Sequence, residues 1–282
     1  MDYRSQGDTR VTINGSRHYK TPYGALPSVT TILSETQGNK AALERWAKKN
    51  PGKKEQAARR GTAVHARMEH YLLGQKDFSH EENEDPEFIK DTVEPFWNGL
   101  SEKLDKFDKV IWAENPANVD DYAWTKGSDG ISRVWHPGIQ EGKNYGWAGA
   151  PDIVAEYKGQ IVLGDLKTSN NPYCSKWPDS STPKSEYGKK RSGFMKYQKC
   201  QLQLAAYALG LEHTINIIPD LCMTFVATKE GSQVFVIQKH TIEKYKQKWL
   251  DIVTKYYEEV LPSKKKAVVE MEGIDGDNID PK

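Results

Sequence analysis

Asp152, Asp165 and Lys167 are the residues whose types and spacing most directly suggest chemistry. PDIVAEY and QIVLGDLK read as two strands rich in Ile, Val, Leu and Tyr, joined by Lys158-Gly159, a connection suited to a tight hairpin turn. With Tyr157 facing Gln160, counting back along both strands sets Asp152 opposite Asp165. Opposed like charges about 4.5–5.5 Å apart at Cβ are destabilising, so this placement needs a compensating cation or a raised pKa. Lys167 lies two residues past Asp165 and shares its face. Paired carboxylates beside a lysine also suit a hard divalent cation, because Mg²⁺ is usually held by one or two carboxylates plus water and substrate phosphate oxygens. The chemistry this suggests is phosphodiester hydrolysis.

Other elements must bring partners to this hairpin. EQAARRGTAVHARMEHYLL has helical spacing through Val64, Met68, Tyr71 and Leu72, with Gly61, His65 and Glu69 on an adjacent stripe. Gly61 in a helix interior costs about 1 kcal/mol relative to Ala, which makes sense where something approaches the backbone. His65 is either a metal ligand or a packed histidine. KVIWAEN is a short strand ending at Glu114, either a site carboxylate or an ordinary strand end. After Lys167, the hydroxyls of Thr168 and Ser169 suit phosphate contacts. A polar loop is then expected from Asn170 to about Gly193, with Lys184, Lys189, Lys190, Arg191, Lys196 and Lys199 interleaved with Tyr187, Phe194 and Tyr197. Cations for the backbone and rings for the bases make a single-strand path, the alternative being a solvated loop. YQKCQLQLAAYALGLEH reads as a helix with Gln203 and Tyr207 on one face.

The remaining chain supplies the frame. VTINGSRHYK is a hairpin about Asn14-Gly15, Ser28 caps a first helix, and AALERWAKKN forms a second that Pro51-Gly52 ends. The basic run Lys48, Lys49, Lys53, Lys54, Arg59 and Arg60 is a solvated face or a phosphate track. Residues 74–87 read as a loop and 88–107 as a helix interrupted near Pro95, while 115–147 read as an irregular insertion or twisted ribbon in which Trp124, Trp135 and Trp147 pack, the alternative being that one stacks on a base. CMTFVAT and SQVFVIQ make a further hairpin, and TIEKYKQKWLDIVTKYYEEVL a long amphipathic helix. Residues 1–262 are expected to form one domain and 263–282 a disordered tail, a possible binding segment for a replication or recombination partner.

With 282 residues, 40 Lys plus Arg and 39 Asp plus Glu, the chain has no global charge that selects a nucleic-acid partner, so any basic patch is local. Three scattered cysteines, Cys174, Cys200 and Cys222, argue against a disulfide framework and fit a reducing compartment. No apolar run spans a bilayer and MDYRSQGDTR lacks a signal peptide's apolar region, so a soluble intracellular protein without a membrane partner is expected.

Taken in order, GTAVHARMEHYL, Asp152 in APD, Asp165-Leu166-Lys167 and Gln203 to Tyr207 resemble the motifs of the PD-(D/E)XK nuclease superfamily, within it the RecB-like exonucleases, related to mitochondrial genome maintenance and phage single-strand exonucleases. LPSVTTIL resembles that group's N-terminal segment. The resemblance implies an α/β fold of restriction-endonuclease type, a mixed central sheet flanked by helices. It implies that His65, Asp152, Asp165 and the Leu166 carbonyl ligate Mg²⁺ or Mn²⁺, that Lys167 positions or deprotonates the attacking water, and that Gln203 and Tyr207 hold the DNA backbone or Lys167. Gly61, Thr168, Ser169, Lys196 and Tyr197 are further expected substrate contacts, with Glu69 and Glu114 behind the ligands. Some relatives hold an iron–sulfur cluster on four cysteines; three misplaced ones imply a cluster-free member.

The resulting expectation is a DNA exonuclease acting on single strands or flaps in the cytoplasm of a bacterial or phage-infected cell, leaving 5′-phosphate and 3′-hydroxyl ends. An endonuclease or a double-strand end-processing exonuclease of the same fold, and a non-catalytic nucleic-acid-binding module, are the alternatives.

Overall fold

A computed structural model describes residues 10–38, 40–78, 81, 84–113, 115–116, 133–140 and 142–263. Glu114, Trp124 and the tail from 264 onward therefore lie outside the described residues. The chain opens with a three-stranded ribbon, β1 (Arg10–Ile13), β2 (Ser16–Thr21) and β3 (Gly24–Pro27). Asn14 and Gly15 both take positive φ, 50° and 71°, as a two-residue turn matched to strand twist requires. Ser28 then caps α1 (Val29–Thr36), its Oγ accepting from Thr31 N at 3.0 Å. Helices α2 (Lys40–Lys49) and α3 (Lys53–Leu72) follow, separated by Gly52 at φ 76°.

From Pro86 to Leu104 the expected helix is broken into short pieces, with a π-helical turn over Ile89–Val93 just before Pro95. The wider turn fits a segment in which Pro95 supplies no backbone N–H.

The central sheet has six strands: β4 (Lys109–Ala113), β5 (Asn115–Pro116), β10 (Ile153–Tyr157), β11 (Gln160–Thr168), β12 (Leu221–Thr228) and β13 (Gly231–Gln238). Their spatial order is β13-β12-β11-β10-β4-β5, antiparallel except for the β11–β12 pair. A parallel pair needs a crossover, and α4 (Lys184–Ile215) supplies it. Between β5 and β10 lie two small pairs, β6 (Val134–His136) with β9 (Trp147–Gly149) and β7 (Ile139–Gln140) with β8 (Lys143–Asn144).

The fold is thus mixed α/β, a mixed sheet flanked by helices. Period-two alternation in the strands divides the core between its two faces. Val154, Leu163, Cys222 and Ile237 pack with α1, α4 and α5 (Lys239–Lys255), while Ile153, Ala155, Val162, Leu166 and Phe225 pack with α3 and the short helices. Trp135 and Trp147 are packing residues: Trp147 is buried with its Nε1 donating to Ala206 O at 3.1 Å, and Trp135 lies against the Tyr19, Leu26 and Ala148 cluster. No helix among the described residues is long and apolar enough to cross a membrane.

One expected element is corrected. The loop expected to run to about Gly193 ends at Pro183, and α4 begins at Lys184, 32 residues long. Its first turns are exposed on all sides, so they carry no apolar stripe to report a helical period, and Gly193 is the first buried position. There α4 is pressed against the chain before it: a Cβ on Gly193 would stand 2.8 Å from Pro172 O.

Candidate active site

The Lys158-Gly159 turn fixes the register of β10 and β11. Both residues take positive φ, 53° and 72°, and pairing runs from Tyr157↔Gln160 to Ile153↔Gly164. Asp152 is the next residue back. It lies just beyond the ladder, where Trp112 Nε1 donates to Pro151 O at 3.1 Å, so it is not a paired neighbour of Asp165 as the count expected. Its Oδ2 instead accepts from Leu166 N at 2.7 Å. Asp165 remains within β11, fully buried on the α4 side of the sheet.

His65 reaches the same place from α3. Its Nε2 lies 3.0 Å from Leu166 O and 3.3 Å from Asp152 Oδ2, while its Nδ1 lies 2.8 Å from Gly61 O. Both ring nitrogens face carbonyl oxygens, so the ring fits its neighbours best as an imidazolium that donates from both. Burial alone would lower the His65 pKa, but the charge of Asp152 and the contact with it outweigh burial and raise it to about 9. Burial would likewise raise the Asp152 carboxyl; His65, Lys167 and the Leu166 N–H hold it below the usual carboxylate range.

Asp165 has the opposite balance. Burial pushes it up to about 6, against the pull of Lys167 and with the help of the Asp152 charge. Lys167 Nζ stands 2.5 Å from Asp165 Oδ2 as an ion pair, and despite burial the nearby carboxylates keep the ammonium protonated. The contact is close but poorly directed, so Asp165 Oδ2 has no aligned hydrogen-bond donor. Gln203 Nε2 donates to Asp165 Oδ1 at 2.9 Å and to the Tyr207 hydroxyl at 3.0 Å. Burial raises the Tyr207 phenol, which stays neutral and keeps its own proton to donate.

These groups border a cleft of ≈570 Å³ whose lining includes Gly61, His65, Glu69, Asp152, Gln203 and Tyr207. Thr168 does not line it; its Oγ1 is 3.6 Å from the point where a Gly61 Cβ would be. Ser169 and Lys196 are engaged with each other, Nζ to Oγ at 3.2 Å. Tyr197 is turned away from the cleft; its ring is 4.8 Å from that of Phe235 and half-buried, so it packs and offers no platform for a base. The expected single-strand path is therefore an exposed helix face of lysines, with Tyr197 removed from it.

Sequence reading missed the opposite side of the cleft, formed by Arg10, Arg17 and Tyr19 of the ribbon together with Arg133. Arg17 and Tyr19 lie two apart in β2 and share a face, a signal that the alternation carried. Nothing in the run before Arg133 offered one. Gly149 was also passed over. A Cβ there would meet Tyr207 Cε1 at 2.4 Å, so glycine is what lets the ring lie against β9.

Among the described residues no three His, Cys, Asp or Glu side chains stand together at metal-ligating spacing. The donor types nevertheless suit a hard cation: one imidazole nitrogen, two carboxylates and a backbone carbonyl, with Asp165 Oδ2 lacking an aligned donor.

Neither protein families nor curated proteins yield a match to the chain. Among solved structures it is similar to the crystal structure of SSO0001, at 13% identity over 67% of this chain and 74% of that one, with a TM-score of 0.28.

Proposed function

We propose that the protein is a metal-dependent nuclease of PD-(D/E)XK type that hydrolyses phosphodiester bonds in single-stranded DNA or flaps. The observation that carries the reading is the convergence of His65 Nε2, Asp152 Oδ2 and Leu166 O within 3.0–3.3 Å contacts, next to the Asp165–Lys167 ion pair in an arginine-lined cleft. His65, Asp152, Asp165 and the Leu166 carbonyl would hold Mg²⁺ or Mn²⁺. A divalent ion bound there supplies a polarised phosphoryl oxygen and a bound water of lowered pKa.

The chain's own groups do the rest. His65 gives up the proton it carries when it becomes a neutral ligand. Lys167, held protonated, steadies charge on the phosphate and is a poor candidate for the base. Tyr207, fixed by Gln203, donates its phenolic proton to a phosphate oxygen. Water oxygen bonds to phosphorus, the P–O3′ bond breaks, and the proton that the water loses passes through solvent to the departing 3′ oxygen. The products are a 5′-phosphate and a 3′-hydroxyl.

The test is digestion of labelled single-stranded DNA in Mn²⁺ by the parent, Asp165→Asn and Lys167→Ala, with folding checked by circular dichroism. Each folded variant is expected to lose at least about 100-fold in rate. Either variant digesting DNA as fast as the parent overturns the assignment. Linear strands digested while end-blocked circles survive identify an exonuclease.

A further inference from the structure

A second cleft, ≈680 Å³, opens one to two turns earlier along α3, and no step of the proposed chemistry uses it. It adjoins the first along α3. On α3, Arg60 lines the second cleft and Gly61 the first, and consecutive Cα atoms are about 3.8 Å apart. On the strand side, Asn170, just past the end of β11, lines the second cleft and accepts from Arg60 Nη1 at 2.9 Å. Gly61 is the residue of the first cleft that directly follows Arg60 of the second. A Cβ at that position would make only an ordinary contact, 3.6 Å from Thr168 Oγ1, so the protein's own packing does not demand glycine. A polymer crossing from outside would.

The cleft's charge and rings define what it takes. Arg60 lies 4.2 Å from the Phe96 ring centroid and faces no carboxylate among the described residues, and its Nε is buried without a hydrogen-bond partner. Burial alone lowers its pKa. Lys53 and Lys229 add two cations. Of the nearby acids, Glu84 is bound to Arg59 and Asp85 caps Glu87 N, which leaves Glu230. Trp46 of α2 lines the same cleft and stands 44% exposed. A large exposed ring beside cations that pair with no carboxylate among the described residues is the combination that holds a base by its face and a backbone by its phosphates.

We propose that this cleft is a single-stranded nucleic-acid subsite in which Trp46 stacks on an unpaired base while Arg60 and Lys229 bind the phosphates of the strand that crosses Gly61 to reach Asp152 and Asp165. The inference rests on the nuclease reading for the direction of the strand. It deepens that reading by naming the groups that select a single strand, because a base paired within a duplex does not offer its face to Trp46.

The test is anisotropy of a labelled oligothymidylate and of a blunt duplex of equal length, measured in EDTA so that nothing is cleaved. Trp46→Ala is expected to weaken oligothymidylate binding about 5- to 100-fold, the range of one stacked base, and to leave duplex binding unchanged. Trp46→Phe should restore part of the loss. Arg60→Gln should lower the slope of log affinity against log salt by about 0.7, one phosphate contact on a single strand. Trp46 is exposed, so its variants should melt with the parent. Parent-like binding by both Trp46→Ala and Arg60→Gln, or an equal loss on duplex, overturns the subsite. The two readings fail separately: a parent that binds through Trp46 but cleaves in no metal sinks the nuclease and leaves the subsite. A parent that cleaves, with Trp46→Ala unchanged in binding and KM, sinks the subsite alone.

Discussion

Gly149 bears on the candidate site through the packing of Tyr207 alone. It sits in β9 directly under the Tyr207 ring, at a distance that leaves no room for a methyl group, and Tyr207 in turn is the second acceptor of the Gln203 amide that orients Asp165. Gly149→Ala must therefore push the ring aside, and the neighbour to be moved is a buried tyrosine fixed between β9 and α4. The expected cost is about 1–3 kcal/mol of stability, the usual penalty for overpacking. A fall in cleavage rate with little change in DNA affinity should accompany it, because the disturbance reaches Asp165 through Gln203. Urea unfolding and single-turnover rates on the same preparation would decide; a variant as stable and as fast as the parent means the ring has space to move. Asp152 makes a related point. It leaves the strand one residue early, so its carboxylate caps Leu166 N instead of confronting Asp165, and the two carboxyls are driven apart in pKa, one lowered and one raised to about 6.

At the scale of elements, the ribbon is tied to the first helix by its cap. Ser28 Oγ accepts from Thr31 N and donates to Thr31 Oγ1, while Ser28 N and Thr31 Oγ1 both donate to Arg17 O in β2. Ser28→Ala should cost about 1 kcal/mol, up to about 2 in a buried setting. Hydrogen exchange should quicken in β2 as well as in α1, and quickening in α1 alone would show that the cap does not bind the ribbon. Elements of this kind were readable beforehand because their signals are local: Asn14-Gly15 for the ribbon, Ser28 for the cap, Lys158-Gly159 for the central hairpin. The register from Tyr157↔Gln160 to Ile153↔Gly164 followed from that last turn alone, but the turn gave no sign that pairing stops one residue short of Asp152. The spacing of Gly61, His65 and Glu69 likewise placed a histidine on the correct helix face. The start of α4 was illegible because its first turns are solvated all round, and hydrophobic period is a record of burial. Tyr197 misled for the converse reason: it stands among lysines in sequence, yet its ring meets Phe235 from another strand. The arginines of the ribbon and Arg133 join the cleft only through tertiary packing, which no run of neighbouring residues encodes.

For the molecule as a whole, the junction where β6, β9, α4 and α5 meet carries a pH dependence. His136 stacks on Trp147 with ring centroids 4.5 Å apart, and Trp147 meets Trp249 of α5 edge-on at 5.6 Å. The His136 Nδ1 accepts from Gly138 N at 2.9 Å, a bond that needs that nitrogen unprotonated. Burial lowers the imidazole to about 4, and His213 on α4 adds to the shift while Glu212 opposes it. A histidine with a depressed folded pKa stabilises the fold fully above its unfolded value of about 6.5. As pH falls from about 6.5 towards 4 the unfolded chain takes up the proton first, so stability declines through that window and this residue causes no further loss below it. Allowing for partial exposure, the loss is on the order of 1–2 kcal/mol. Carboxylates also titrate near the lower end, so the measurement is a difference between two proteins. Urea midpoints of the parent and of His136→Gln, taken at neutral pH and at several points down to the lower limit of the window, should converge as the pH falls, because the variant lacks this one proton uptake. Midpoints that stay a constant distance apart would mean that His136 titrates normally and that its place against Trp147 is open to water.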